Sequence, residues 1–346
     1  MTASLNNLIP NAKYLLIDAG CKVALHLIKT GVSPESITIW EQSEKYYIFA
    51  KKLQKLFNFN LTNDDPMIKF DVTVSNPPYS LDSHNTGSST YESFAQKQYE
   101  LTKDGGHMIA VHPPGLRKPN NPSRNLLIDN QVHKLSIHSS LEGKKTFNAG
   151  TPYDWYILQK TPRTNGTEVR FEGSQKWVNI DLRDYPFIPN HSLDVLQKYL
   201  NTDSSIPRLN PQIGKAWRHI CRSKTYDPTV SFDGAFVSIN KTTATGELNL
   251  CYNKTQEPEA THKKVVFREG GNFYPYYDDG KYGVSDNCMF VLVDSKEEAD
   301  DIIEYLNSSE ADIYRKACQI SGGFRTVCDM LKVIPNPHYV KKAKKS

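Results

Sequence analysis

The sequence predicts an α/β protein whose first part is built on a parallel sheet with helices on both faces. Up to about residue 165, short β-branched or apolar runs alternate with amphipathic stretches, and this alternation stops after about residue 170. Strands that alternate with helices form parallel sheets, because each helix carries the chain back across the sheet. We therefore expect one domain at 1–165, a mixed α+β domain at 170–337 and a basic disordered tail at 338–346.

The expected strands of the first domain are short, and turn or polar residues follow them. In chain order they are KYLLIDAG (13–20), SITIWEQ (36–42), KFDVTVS (69–75), HMIAVHPP (107–114) and DWYILQK (154–160). The stretches between them have apolar residues at three- and four-residue spacing, which predicts helices. These helices are CKVALHLIKTG (21–31), EKYYIFAKKLQKLF (44–57) and YESFAQKQYELTKDGG (91–106).

The second domain is rich in Asn, Thr, Tyr and Pro, and few of its segments have helical spacing. Short irregular strands are therefore expected over most of its length. The regular elements that the pattern predicts are a helix at 191–202, a strand at 287–295 and two helices at 296–309 and 311–321.

Composition narrows the class of protein. The 346 residues are 38% hydrophobic and 11% aromatic, which is enough to form cores, and the mean hydropathy of -0.56 is typical of a soluble protein. No apolar run approaches a membrane span and no signal-peptide pattern is present, so we expect a cytoplasmic protein. The six cysteines are scattered without a CxxC pair, which favours reduced thiols. A net charge of +4 permits a polyanionic partner without requiring one.

The segment DVTVSNPPYS (71–80) places an acceptor-rich corner after an expected strand. Pro77 and Pro78 end the strand, and the first of them restricts Asn76 to an extended conformation. The side-chain oxygen of Asn76 and the carbonyl of Pro77 are two neutral acceptors, which suit the NH2 group of a planar ring. Tyr79 offers a face on which such a ring can stack. A proline-rich turn without a ligand is the alternative interpretation of these four residues taken alone.

The segment KFDVTVSNPPYS (69–80) resembles motif IV of the S-adenosylmethionine-dependent amino-methyltransferases that act on DNA adenine at N6. Segments at 91–116 and 125–160 resemble the next parts of that family in the same order. The segment at 291–337 resembles the end of target-recognition domains in restriction-modification methyltransferases. The resemblance implies a Rossmann-like methyltransferase sheet followed by a target-recognition domain that reads DNA. The residues it assigns to catalysis are Asn76, Pro77, Pro78 and Tyr79.

The resemblance also implies S-adenosylmethionine as the cofactor and assigns residues to it. Asp18 and Gly20 stand in the turn after the first strand, and Glu41 matches the acid that binds the ribose hydroxyls. Asp65 matches the residue that contacts the adenine amino group of the cofactor. Phe147 is the aromatic residue expected to pack against the extruded base.

Two interpretations of the cofactor site remain open, because Lys22 stands where the family has a second glycine. A divergent but functional pocket predicts a DNA adenine methyltransferase. A decayed pocket predicts a DNA-binding protein without catalysis, or a subunit that needs a partner. A third hypothesis is methylation of another planar amine, in RNA or in protein.

Basic and aromatic residues of the second domain predict a surface for double-stranded DNA. Arg, Lys and Tyr side chains are the groups that contact phosphates and base edges. The candidates are Lys215, Trp217, Arg218, Arg222, Lys224, Lys264 and Arg268. For any single candidate, a solvated face is the alternative interpretation. No metal is expected, since no His or Cys spacing is typical of a metal site, and the resemblance leaves open a restriction or methyltransferase partner subunit.

Overall fold

The computed structural model describes residues 11–17, 20–76, 89–215, 236–253, 256–320 and 325–345. The chain divides into two compact units, residues 1–188 and residues 189–346. The boundary falls later than the expected one between 165 and 170. The reason is that two further strands, Thr167–Arg170 and Val178–Ile180, continue the sheet of the first unit.

The described part of the first unit contains a nine-stranded sheet. Its strands are β1 (Tyr14–Ile17), β2 (Ile37–Trp40), β3 (Asn60–Thr62), β4 (Phe70–Ser75), β5 (Thr102–His112), β6 (Asn130–His138), β7 (Tyr153–Pro162), β8 (Thr167–Arg170) and β9 (Val178–Ile180). Their order across the sheet is β3-β2-β1-β4-β5-β7-β6-β8-β9. Strands β1 to β5 pair in parallel, and β7 lies antiparallel between β5 and β6. The first five strands have the Rossmann order 3-2-1-4-5, which confirms the predicted fold class.

Five α-helices accompany this sheet in the described residues. They are α1 (Gly20–Lys29), α2 (Glu44–Phe57), α3 (Ser89–Leu101), α4 (Asn125–Asp129) and α5 (Ser140–Phe147). The bounds of α2 are the predicted ones, but the helix predicted at 91–106 is wrong over its last five residues, 102–106. Thr102 pairs with Phe70 of β4, so the chain is already a strand there, and the φ of +78° at Gly105 is not helical.

Alternate side chains of β1 pack on opposite faces of the sheet. Tyr14 and Leu16 belong to a buried cluster that includes Ala24 and Leu27 of α1 and Ala50 of α2. On the other face, Leu15 and Ile17 belong to a cluster with Leu101 at the end of α3 and with Trp40 and Phe70. Burial of a Leu, Ile or Phe side chain in these clusters contributes roughly 1.5–3 kcal/mol. The helices therefore cover both faces, as the run of apolar residues in β1 predicts.

The second unit is a mixed α+β domain, also as predicted. Its strands are β10 (Gln212–Ile213), β11 (Phe236–Thr242), β12 (Leu248–Asn253), β13 (Lys263–Arg268), β14 (Tyr276–Asp279), β15 (Gly283–Val284) and β16 (Cys288–Leu292). They form a sheet of order β10-β16-β13-β14 and another of order β12-β11-β15. Its α-helices are α6 (Leu193–Leu200), α7 (Lys296–Leu306), α8 (Ser309–Ala317), α9 (Cys328–Leu331) and α10 (Pro337–Ala343). No helix in the described ranges has the length and apolar character needed to cross a bilayer.

The prediction of a disordered basic tail at 338–346 is wrong for most of that segment, because it forms α10. His338 Nδ1 lies 2.7 Å from Asp301 Oδ2, and Lys341 Nζ lies 2.6 Å from Asp301 Oδ1 and 2.6 Å from Glu304 Oε2. Asp301 and Glu304 belong to α7. Carboxylates from a distant part of the chain thus order a segment whose own composition suggests disorder.

No disulfide joins the cysteines in the described ranges, and all of them are buried, which agrees with the prediction of reduced thiols. Burial raises the pKa of the Cys288 and Cys318 thiols above the ordinary value. A buried thiol with a raised pKa is inert, because the thiolate is the nucleophile and the metal ligand. The sixth cysteine, Cys221, lies outside the described residues.

Candidate active site

The carboxyl edge of the parallel strands brings two of the predicted site residues to neighbouring positions. Ile17 of β1 is in register with Trp40 of β2 and with Ser75 of β4. Glu41 and Asn76 come next in the chain, so they flank the end of β1 on its two sides. With strands about 4.8 Å apart, their backbones are separated by roughly 10 Å. The strand order reverses between β1 and β4, and open α/β sheets bind ligands at such a switch point.

Asn76 has a half-buried side chain. Its side-chain amide forms no hydrogen bond with the described parts of the chain. The amide is therefore available to a ligand at the edge of the sheet. Pro77, Pro78 and Tyr79, the rest of the predicted corner, lie outside the described residues, and their catalytic roles stay predictions.

The end of β4 is held by Gln98, a fully buried residue of α3. The hydroxyl of Ser75 donates to Gln98 Oε1 at 2.6 Å, and Gln98 Nε2 donates to the carbonyl of Ile109 in β5 at 3.0 Å. Gln98 thus ties the residue before Asn76 to α3 and to the neighbouring strand. Sequence reasoning missed Gln98, because a glutamine in a predicted helix is usually exposed and no motif marks this one.

A cavity of about 420 Å³ lies beside Glu41, with walls from α1, β2 and α2. Its lining residues are Cys21, Lys22, Ile39, Glu41, Lys45, Tyr46, Phe49 and Ala50. Glu41 is 5% exposed, and its Oε1 accepts a hydrogen bond from the backbone N–H of Ser43 at 3.0 Å. A buried acid that can accept from ribose hydroxyls, next to apolar and aromatic walls, fits a nucleoside cofactor.

Lys22 lines the same cavity as Glu41. A charged side chain therefore stands in the wall of the candidate cofactor site. The amino-methyltransferases that the sequence resembles have glycine at this position. Cys21, the neighbouring residue, is buried, and the pKa of its thiol is raised first by burial and then by the charge of Glu41. Cys21 and Glu41 line the same cavity, so Glu41 lies close to the start of α1.

The structure describes the other predicted cofactor residues only in part. Asp18 lies outside the described residues, and Gly20 is the first residue of α1. Asp65 follows β3 at the same edge of the sheet, and its carboxylate forms a 2.8 Å ion pair with Lys97 of α3. Both of these side chains are partly exposed, so a ligand can compete for the carboxylate. The contact of Asp65 with an adenine amino group stays a prediction.

Phe147 ends α5 and is 39% exposed. Its ring packs edge-to-face on Tyr153, with centroids 4.9 Å apart, and Tyr153 stacks on His138 at 4.3 Å. Because β6 leads into α5, Phe147 lies at the same edge of the sheet as Asn76. Three strand spacings, roughly 14 Å, separate β6 from β4. The exposed ring can accept a stacking partner, and its contact with a base stays a prediction.

Near this edge lies a group of buried polar side chains to which sequence reasoning assigned no role. His112 at the end of β5 is 1% exposed, and its Nδ1 lies 3.3 Å from the Tyr156 hydroxyl. Burial lowers the pKa of His112 to about 3 and raises the pKa of Tyr156. Arg117 Nε donates to Asp154 Oδ2 at 2.6 Å, and Arg117 Nη1 donates to the carbonyl of Ile188. These groups hold the segment after β5 against the start of β7.

The prediction that Lys264 contacts DNA is wrong. Its side chain is completely buried, with Nζ 2.6 Å from Asp278 Oδ2 and hydrogen-bonded to the carbonyls of Glu259 and His262. Lys264 stands directly opposite Asp278 in the pairing of β13 with β14. A buried lysine that donates to a carboxylate and to backbone carbonyls cannot reach a nucleic acid.

The remaining candidates for DNA contact are only partly described. Lys215 is exposed, and Arg268 is half-buried in the wall of a second cavity. Trp217, Arg218, Arg222 and Lys224 lie outside the described residues. Their contacts with DNA stay predictions.

Comparison with known proteins supports the fold. No protein-family model and no curated protein matches the chain. Among solved structures, the type IIL restriction-modification enzyme MmeI in complex with DNA matches with a TM-score of 0.52 and 8% identity, over 95% of this chain and 63% of that chain. The type IIG restriction endonuclease BpuSI matches with a TM-score of 0.43 and 11% identity, over 96% and 57%. A modification subunit of a putative type I restriction enzyme from Vibrio vulnificus YJ016 matches with a TM-score of 0.37 and 11% identity, over 74% and 58%.

These likenesses define what the chain shares with other proteins. At 8% identity, the match with MmeI shows a common fold and nothing finer. The chain spans between 44% and 63% of the length of eight of the solved structures it matches. Activity, substrate and partners are therefore matters for proposal.

Proposed function

We propose that this chain is a DNA methyltransferase that transfers a methyl group from S-adenosylmethionine to the N6 amino group of an adenine turned out of duplex DNA. The observation that carries the proposal is the position of Asn76. Its half-buried amide, without a hydrogen bond in the described chain, stands at the switch point of the sheet. The cavity beside Glu41 lies on the other side of β1. The residues after Asn76, two prolines and a tyrosine, support the same chemistry.

In this mechanism the protein grips the amino group and leaves its lone pair exposed. Asn76 Oδ1 accepts one hydrogen of the adenine NH2 group, and the Pro77 carbonyl accepts the other. Neutral acceptors fixed by the backbone need little reorganisation as positive charge develops on the nitrogen. Tyr79 stacks on the extruded base, which contributes about 1–3 kcal/mol. Gln98 holds the end of β4 and so orients Asn76.

Residues beside β1 bind the cofactor. Glu41 accepts hydrogen bonds from the ribose hydroxyls, and Ile39 and Phe49 cover apolar parts of the nucleoside. Bound S-adenosylmethionine supplies an electrophilic methyl group on a sulfonium. The second unit is proposed to bind the duplex, because extruding a base costs a few kcal/mol that contacts to the DNA must offset.

The proposal is tested by transfer of radiolabelled methyl groups to mixed-sequence duplex DNA. We expect the wild type to label adenine N6, and Asn76→Ala to reduce the rate by about 100-fold or more, as for other transition-state hydrogen bonds. Cofactor affinity, measured by calorimetry, should not change in this variant. Asn179→Ala, which removes an exposed amide of β9, is the matched control and should keep full activity. A wild type that neither labels any duplex nor binds the cofactor contradicts the proposal.

A DNA-binding protein without catalysis is the second candidate, and Lys22 in the cavity wall is the observation that favours it. This candidate predicts that the wild type binds duplex DNA with the same affinity with and without S-adenosylmethionine. It also predicts that Lys22→Gly gains cofactor binding that the wild type lacks. Offering RNA in place of DNA as the methyl acceptor distinguishes an RNA methyltransferase from both.

A further inference from the structure

A second cavity, of about 450 Å³, lies in the second unit around the turn that follows β13. It is lined by Asn240, Lys241, Arg268, Glu269, Gly270, Gly271, Asn287 and Arg325. Apart from two glycines, every lining residue that the structure describes is polar or charged. Three cations face one carboxylate, so the cavity has a formal excess of positive charge.

The single carboxylate neutralises only one of the three cations. Arg325 Nη1 lies 3.3 Å from Glu269 Oε2, and the Arg325 side chain is 57% exposed. Arg268 and Lys241 have no carboxylate partner among the described residues. The guanidinium of Arg268 lies against Gly271, where an added Cβ would meet Nη2 at 3.5 Å. Two cations in a concave site without a counter-charge favour an anionic ligand.

Irregular backbone brings these side chains to the cavity. The pairing of β11 with β12 shifts register between Ile239 and Lys241, so the adjacent residues Asn240 and Lys241 both line the cavity. Tyr274 has a φ of +43°, which is strained for an aromatic residue, and its ring centroid lies 5.6 Å from the Arg268 guanidinium. Bulges and strained residues of this kind concentrate at binding sites.

Hydrogen bonds fix the wall and the turn of the cavity in advance. Asn287 Nδ2 donates to Asn240 Oδ1 at 2.9 Å. The backbone N–H of Glu269 donates to the Asn287 carbonyl at 3.1 Å, and the N–H of Thr326 donates to the Glu269 carbonyl at 2.9 Å. These bonds and the bridge between Gly270 and Arg325 hold Arg325 and Glu269 beside the turn. A site that is already ordered loses less entropy when a ligand binds.

We infer that this cavity binds a phosphate group of the DNA backbone, with Arg268 and Arg325 as its main ligands and Lys241 adding charge. A guanidinium presents paired N–H donors that match two oxygens of a phosphate. The inference rests on the proposed function for the source of the phosphate, which is the duplex that the second unit holds. It assigns to Arg268 and Arg325 a contact that is independent of base sequence.

Binding of the full chain to a fluorescent mixed-sequence duplex, measured over a series of salt concentrations, tests this inference. Each phosphate contact contributes about −0.9 to the slope of log affinity against log salt. We expect Arg268→Gln and Arg325→Gln each to make the slope shallower by about 1 and to weaken binding about tenfold at low salt. Lys332→Gln is the control, because Lys332 lies in the same unit, outside the cavity, with its charge paired to Asp329.

A variant with the opposite expected effect excludes damage to the fold as the explanation. Glu269→Gln removes the one carboxylate among the described lining residues of the cavity, so we expect tighter binding and a steeper salt slope than in the wild type. A variant that had lost its structure could not bind more tightly. Arginine variants that bind with the affinity and slope of Lys332→Gln would overturn the inference.

Failure of the proposed function gives a different result. If the wild type binds no duplex at all, the proposed function fails. Calorimetry with inorganic pyrophosphate then tests whether the cavity binds phosphate groups. Heat of binding in the wild type that is lost in Arg268→Gln supports a phosphate site. The absence of binding in the wild type overturns it.

Discussion

Polar side chains near the carboxyl edge of the first sheet divide into those available to a ligand and those that the fold already uses. Asn76 belongs to the first group, since no hydrogen bond of the described chain occupies its amide. Gln98, His112 and Asp154 belong to the second, since each is buried and bonded to a neighbouring element. A buried polar group that loses its partner costs about 1–3 kcal/mol. Gln98, which accepts from the hydroxyl of Ser75, therefore helps to fix the position of Asn76.

His112 is expected to make the folded protein sensitive to acid. Burial lowers its pKa to about 3 in the folded state, whereas the value in an unfolded chain is about 6.5. As the pH falls, the unfolded state binds the proton first, so the stabilisation is complete above pH 6.5 and is lost between pH 6.5 and pH 3. At about 1.4 kcal/mol per pH unit, the loss from this residue at pH 5 is about 2 kcal/mol.

Urea unfolding at pH 7 and pH 5 measures this effect. The free energy of unfolding of the wild type should fall by about 2 kcal/mol more than that of His112→Gln. Other buried histidines with lowered pKa values, such as His107 and His138, act in the same direction and cancel in the comparison. His26→Gln, which changes an exposed residue of α1, should keep the pH dependence of the wild type. The same pH dependence in His112→Gln and the wild type would show that this explanation is wrong.

At the scale of helices and strands, the hydrogen bonds of Gln98 that connect α3 with β4 and β5 matter most for the candidate site. Gln98→Met keeps the shape of the side chain and removes both of its hydrogen bonds, to Ser75 and to Ile109. We expect a loss of about 1–3 kcal/mol in the free energy of unfolding. We also expect the rate of methyl transfer to fall about tenfold, since a small misplacement of Asn76 weakens a transition-state contact.

Gln96→Met is the matched control, because Gln96 lies on the same helix and is exposed. A positioning role for Gln98 predicts a lower kcat with unchanged KM values for DNA and cofactor. If Gln98→Met lost stability but transferred methyl groups at the wild-type rate, Gln98 would be a purely structural residue.

Local sequence patterns predicted the helices and strands whose bounds depend on their own residues. They missed those whose bounds depend on contacts with residues far away in the chain. The amphipathic period of α2 gave both of its bounds, and the edge position of Glu41 and Asn76 followed from the ends of two strands. By contrast, β5 begins at Thr102 because of its pairing with β4, and α10 is ordered by carboxylates of α7. No sequence pattern near Lys264 indicates that Asp278 of the neighbouring strand β14 stands opposite it.

The molecule as a whole is two units with separate cores. The first unit has buried clusters on both faces of its sheet, and the second has a cluster around Ile239, Val266 and Phe290. The described candidate residues for the cofactor lie in residues 1–188, and the cavity around Arg268 lies in residues 189–346. This division predicts that cofactor binding and DNA binding can be separated by cutting the chain after Ile188.

We expect residues 1–188, expressed alone, to fold cooperatively and to bind S-adenosylmethionine within about threefold of the affinity of the full chain, because a domain with its own core can fold by itself. The fragment should transfer no methyl group to DNA, since it lacks the proposed DNA-binding unit. Thermal unfolding and calorimetry on the fragment and the full chain make the measurement, and Glu41→Gln should weaken binding equally in both. A fragment that unfolds cooperatively but binds no cofactor, when the full chain does, would mean that residues beyond 188 complete the cofactor site. The assignment of that site to the cavity beside Glu41 would then be wrong.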